Sequence, residues 1–160
     1  MAYLRKYTGY LVYHRSIFRP AAQQAGEPLN IVSQPQVGLK VYIVEDNPVI
    51  RENLVDTLQE LADAETVGVA ATEKEGVNWL TSHLPEWDLA IVDLFLQQGT
   101  GLGVVEACKD RPDDKKVVVF SNYATNDVRD RCVQMGVDKF FDKSREIDAL
   151  IDYCIEISEQ

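Results

Sequence analysis

The chain has 160 residues, enough for one domain with a substantial core. Hydrophobic residues make up 46% and charged residues 26%, and no run approaches the ~20 apolar residues needed to span a bilayer. With 16 basic against 26 acidic residues the formal net charge is −10, which argues against nucleic acid or an anionic membrane as the main partner of the folded body.

The charge is unevenly spread. Up to Leu39 there are four basic residues (Arg5, Lys6, Arg15, Arg19) against Glu27 alone, so the remaining 12 basic and 25 acidic residues leave the body at −13. Residues 1–38 read as an N-terminal extension. Leu4, Tyr7, Leu11 and Phe18 share a helical face flanked by the four basic residues, which suits a short amphipathic helix. That helix could meet a membrane, a partner or the acidic body, and a disordered tail is an equal alternative; membrane contact is not the expectation. The stretch from Arg19 to Val37, with three prolines and four glutamines, reads as a flexible linker. The apolar part of the N-terminus is too short and interrupted for a signal peptide.

From Lys40 onward, short apolar runs alternate with helical patterns. VYIV (41–44) predicts a first strand, and NPVIRENLVDTLQELA (47–62) a helix with Ile50, Leu54, Leu58 and Leu61 on one face. Asn47 is a good N-cap and Pro48 suits the first turn. ETVGVAA (65–71) predicts a second strand, 72–83 a helix, and WDLAIVD (87–93) a third strand. A loop containing Gln97, Gln98, Gly99 and Thr100 leads to a glycine-containing helix over 101–110. KVVVFS (116–121) predicts a fourth strand and 125–135 a helix closed by Gly136. VDKFFD (137–142) is the fifth strand, and 144–159 a final helix with Ile147, Leu150, Ile151 and Cys154 on one face.

Five β-α units with near-continuous apolar strands predict a doubly wound α/β fold, with a five-stranded parallel sheet of flavodoxin-like order 2-1-3-4-5 over residues 39–160. The three cysteines, Cys108, Cys132 and Cys154, lie in apolar helical contexts and read as small core residues in a reducing cytosol. A cytoplasmic location follows as the expectation. His14 and His83 have no ligand-spaced cluster around them, so neither is assigned a site.

In YIVEDNP (42–48) two adjacent carboxylates, Glu45 and Asp46, end an apolar run. Neighbouring like charges raise each other's pKa unless a cation intervenes. In the predicted topology Glu45-Asp46, Asp93, Ser121 and Lys143 all fall at the carboxyl edge of the sheet, where open α/β sheets bind ligands. Three carboxylates could hold a hard divalent cation through oxygen, leaving Asp93 as a shielded nucleophile toward phosphorus. Ser121 could then donate to a transferred phosphoryl oxygen and Lys143 pair with another. Each residue alone fits a bland reading: a solvated strand end, an N-cap, a turn hydroxyl, a surface cation.

With YIVEDN, IVDLFLQQGTGLG, VVVFSNYA and KFFDKS in this order and spacing, residues 39–159 resemble the receiver domain of two-component response regulators. The resemblance implies phosphorylation of Asp93 by a sensor histidine kinase or a histidine phosphotransfer protein. It implies Mg²⁺ (or Mn²⁺) on Glu45, Asp46, Asp93 and the backbone carbonyl of Phe95. It makes Ser121 and Phe140 a coupled switch pair, and lets Phe95 and Tyr123 flank the phosphoryl group and tune its hydrolysis. Gln97 stands where the family commonly has proline, and Ser144 follows the lysine where proline after a cis bond is frequent. A cis bond before serine would cost about 3–4 kcal/mol, so a trans bond or a rearranged loop is expected.

The resemblance implies a signalling switch rather than a turnover enzyme. Its output would be protein contact, self-dimerisation or onward phosphotransfer, with no DNA-binding module expected in this chain. The contact surface it implies is the fourth helix, fifth strand and fifth helix, with Asp127, Arg129, Arg131, Lys139 and Arg145. A Mg²⁺-dependent phosphohydrolase is the alternative, weakened by Phe95 standing where such enzymes place a second aspartate. A docking domain that is not phosphorylated is a third reading.

Overall fold

A computed structural model of the chain describes residues 38–160. The helix and linker expected before Gly38 lie outside the described residues. Five strands, β1 (Lys40–Val44), β2 (Glu65–Ala70), β3 (Leu89–Val92), β4 (Lys116–Ser121) and β5 (Lys139–Asp142), form one parallel sheet of order 2-1-3-4-5. Five α-helices connect and close it: α1 (Pro48–Ala62), α2 (Glu73–Ser82), α3 (Gly101–Ala107), α4 (Asn126–Gln134) and α5 (Ile147–Ser158). The predicted alternation and strand order are those observed.

Strand periodicity sorts the core into two layers. Val41 and Ile43 of β1 join Leu54, Leu58, Leu150, Ile151 and Cys154 beneath α1 and α5. Tyr42 and Val44, one residue out of phase, join Leu80, Val104, Val105, Cys108 and Cys132 beneath the other three helices. The three cysteines are therefore buried, unpaired core residues, as expected. Burial of Trp87 costs no hydrogen bond, because its Nε1–H donates to the Leu80 carbonyl at 3.0 Å.

Local chemistry sets the helix ends. Asn47 Oδ1 accepts the N–H groups of Val49 and Ile50, capping α1. Thr72 accepts from Glu75 N–H, while Glu75 reaches back to Ala71 N–H, a near-reciprocal cap on α2. Gly136, at φ +84°, provides the left-handed turn after α4. The last helix begins three residues later than its sequence pattern suggests. Ser144 N–H and Oγ–H both donate to Asp142 Oδ1, and Glu146 N–H to the Asp142 carbonyl, so a tight turn occupies 142–146. Among the described residues no peptide bond is cis, so the Lys143–Ser144 bond is trans. No helix among them is long and apolar enough to cross a membrane.

Candidate functional site

Parallel pairing brings all strand C-termini to one edge, and the ladder continues one residue past three of them. Glu45 N–H donates to Ala70 O (2.9 Å), Asp93 N–H to Val44 O (2.9 Å) and Lys143 N–H to Ser121 O (3.2 Å). The main chain thereby fixes three polar side chains where the apolar strands end. Glu45, Asp93 and Ser121 are the buried polar residues among those described, at 3%, 9% and 0% exposure.

The side chains converge. One oxygen each of Glu45, Asp46 and Asp93 lies within 4.8 Å of the others. Lys143 Nζ donates to Glu45 Oε2 and, at 2.8 Å, to Asp93 Oδ2. Glu45 Oε1 accepts the Asn47 N–H at 3.0 Å, and Asp46 Oδ2 accepts the Gln97 N–H at 2.9 Å. Burial pushes the Glu45 carboxyl above the ordinary range, against the pull of Lys143 and the Asn47 N–H. Lys143 pairs with two of the three carboxylates, Glu45 and Asp93, so the cluster is an all-oxygen donor set with an excess of negative charge. Such a set fits a hard divalent cation.

Ser121 Oγ is buried and has no hydrogen-bond partner. A hydroxyl out of water without a partner is costly, so its position calls for something to bond. Phe95 and Tyr123 meet in a tilted contact, ring centroids 4.0 Å apart and planes at 38°, and both are exposed, at 53% and 57%. Phe140 is half-buried on β5 and packs against the core layer that holds Val44 and Val92. The Arg129 guanidinium lies 4.7 Å over its ring and donates to its carbonyl at 3.1 Å.

A family profile for the response regulator receiver domain matches residues 41–154. The chain belongs to the response regulator receiver family. The chain is 29% identical over 92 residues to the DNA-binding transcriptional activator DevR/DosR of Mycobacterium tuberculosis, covering 56% of this chain and 40% of that protein. It is 33% identical over 109 residues to the Regulator of RpoS of Escherichia coli K12, covering 67% and 31% respectively. The match thus spans less than half the length of both relatives. Among solved structures, it superposes on the signal receiver domain of a DNA-binding response regulator from Colwellia psychrerythraea with a TM-score of 0.67. That pair is 21% identical and covers 76% of this chain and 99% of the other, a likeness of fold.

The sequence-predicted Glu45, Asp46 and Asp93 cluster, Lys143 bonds Glu45 and Asp93, Ser121 is tied to Lys143 through the main chain, and Phe95 and Tyr123 meet. Other residues of the receiver escaped sequence reasoning. Arg51 Nη1 donates to the Glu45 carbonyl at 3.0 Å. Arg129 was legible only as a surface charge, yet it also donates to Glu146 Oε2 at 2.8 Å and to the Ala124 carbonyl at 3.3 Å. Asp127, Arg131, Lys139 and Arg145 are exposed on the same side of the sheet order. Glu73 carried no signal beyond its place in the first turn of a helix.

Proposed function

We propose that this chain is a phosphoacceptor of a two-component or phosphorelay system, with Asp93 taking the phosphoryl group from a phosphohistidine on a sensor histidine kinase or a histidine phosphotransfer protein. The observation that supports this most directly is a buried Asp93 held by Lys143 at 2.8 Å, at a sheet edge where Ser121 presents a buried hydroxyl without a partner.

In the transfer, an Asp93 carboxylate oxygen bonds to phosphorus as the phosphorus–nitrogen bond of the donor breaks. The leaving imidazole nitrogen takes up a proton. Glu45, Asp46, Asp93 and the Phe95 main-chain carbonyl would hold Mg²⁺ or Mn²⁺, which when bound offsets the repulsion between carboxylates and phosphoryl oxygens. Lys143 pairs with one phosphoryl oxygen and Ser121 donates a hydrogen bond to another. Ser121 moves toward the phosphoryl group and the Phe140 ring turns inward behind it, which carries the change to α4, β5 and α5. Asp127, Arg131, Lys139 and Arg145 there offer a mixed-charge face to a downstream protein or a second copy.

Acetyl phosphate and Mg²⁺, with intact-mass detection, test the chemistry. One acid-stable, base-labile phosphoryl adduct is expected on the unsubstituted chain and none on Asp93→Asn. Equal labelling of Asp93→Asn would overturn the assignment. Steady release of phosphate from a phosphomonoester would support the phosphohydrolase reading instead.

A further inference from the structure

Glu73 lies outside the acidic cluster, yet it is bonded to the loop that joins β3 to α3 beside that cluster. Its main-chain N–H donates to the Gln98 carbonyl at 3.1 Å, and its Oε2 accepts the Thr100 N–H at 2.6 Å. Its side chain occupies a socket lined by two glycines. A Cβ on Gly103 would collide with the Glu73 carboxylate, and one on Gly99, whose φ is +81°, would collide with the Glu73 Cβ and Oε2. The spacing G-T-G-L-G therefore does more than weaken a helix. Gly99 and Gly103 admit a carboxylate from α2, while Gly101 passes against the Asp93 carbonyl.

The other end of the loop is tied as well, by the Gln97 N–H on Asp46 Oδ2. A proline at 97 could not make that bond, since it has no N–H. Phe95 precedes both carboxylate ties and is bridged across the loop to Thr100, the residue Glu73 holds, with its N–H 3.4 Å from Asp93 Oδ1. A loop without proline is thus held at both ends by charge-assisted hydrogen bonds, which are stronger than neutral ones.

We propose that Glu73 is a positioning residue for the Asp93 site: it holds the 97–100 loop and, through it, the Phe95 carbonyl and ring. This rests on the reading of Asp93 as phosphoacceptor and of the Phe95 carbonyl as part of the cation site. Without the Glu73 tie, the carbonyl samples a wider range of positions and the site's hold on a divalent cation weakens.

The test uses the full chain with Glu73→Ala and Glu73→Gln. Residue-resolved amide exchange and calorimetric titration with Mg²⁺ alone are the readouts. In Glu73→Ala the Thr100 and Gln97 amides should exchange at least about tenfold faster, with β1 and β3 amides unchanged. Its Mg²⁺ dissociation constant should rise severalfold. Glu73→Gln keeps an acceptor oxygen in the socket and should recover most of both effects. Unchanged loop exchange and Mg²⁺ affinity in Glu73→Ala would overturn the proposal, as would an acceleration spread evenly over all amides. Both readouts report on the tie whether or not Asp93 accepts a phosphoryl group, so the two readings can fail separately.

Discussion

Lys143 Nζ stands 2.8 Å from Asp93 Oδ2 and bonds Glu45 as well, from positions 50 and 98 residues away in the chain. The three side chains are at most 11% exposed. One ammonium therefore holds together two carboxylates that water cannot screen. Breaking a buried arrangement of this kind costs far more than losing a surface pair, because charges are left without a partner.

Lys143→Met should lower stability by about 3 kcal/mol without divalent cations, read as a fall in the urea midpoint. Saturating Mg²⁺ should restore part of the loss, since a cation can take over the neutralisation. Absence of any Mg²⁺ rescue would argue that the three carboxylates do not share an ion.

Ser121→Ala should behave in the opposite way. The hydroxyl is buried and unpartnered, so its removal should leave stability unchanged or raise it by no more than about 1 kcal/mol. Asp93 should still accept the phosphoryl group, while the accompanying change in exchange rates across β5 and α4 disappears. A destabilisation well beyond 1 kcal/mol would mean that the resting protein already uses this hydroxyl.

Phe95 and Tyr123, in tilted contact at 4.0 Å, follow Asp93 and Ser121 by two residues each. The Phe95 side chain has no group to hydrogen-bond an attacking water, and Tyr123 is bulky with a single hydroxyl. The phosphoryl group on Asp93 is expected to last minutes or longer, and Phe95→Asn to shorten its half-life at least about tenfold. Label lost from the unsubstituted chain within seconds would refute this.

Acid should loosen the link between α4 and α5. The Arg129 hydrogen bond, helped by the Asp142 N–H, holds the Glu146 carboxyl below its ordinary value near 4.5. A carboxylate with a depressed folded-state pKa contributes stability above its unfolded pKa and loses it as pH falls through the folded value. Glu146→Gln should therefore flatten the acid limb of the stability–pH curve below about pH 4.5 and change little near neutrality. Urea midpoints measured across that range would show it, and parallel acid limbs for the two proteins would reject it.

The fold was legible because its signals are local and repeated. Apolar runs of strand length, helical spacing such as Leu54 and Leu58, and the caps Asn47 and Gly136 each depend on a few neighbouring residues. Element ends were less legible where a turn competes. The final helix starts at Ile147 rather than 144 because Asp142, Ser144 and Glu146 bond among themselves. Arg129 read as one more exposed cation, since its four contacts lie on Ala124, Phe140 and Glu146 of other elements.

By itself the sequence determined the order of strands and helices and placed Glu45, Asp46, Asp93, Ser121 and Lys143 at the same sheet edge, since parallel strands put every carboxyl end on one side. Only the tertiary structure decided which side chains meet there. It set Lys143 between Glu45 and Asp93, left Ser121 Oγ unpartnered, put Arg129 over Phe140 and seated Glu73 among the loop glycines. Those contacts join residues far apart in the chain. They depend on strand register, helix placement and rotamer together, which no hydrophobic period encodes.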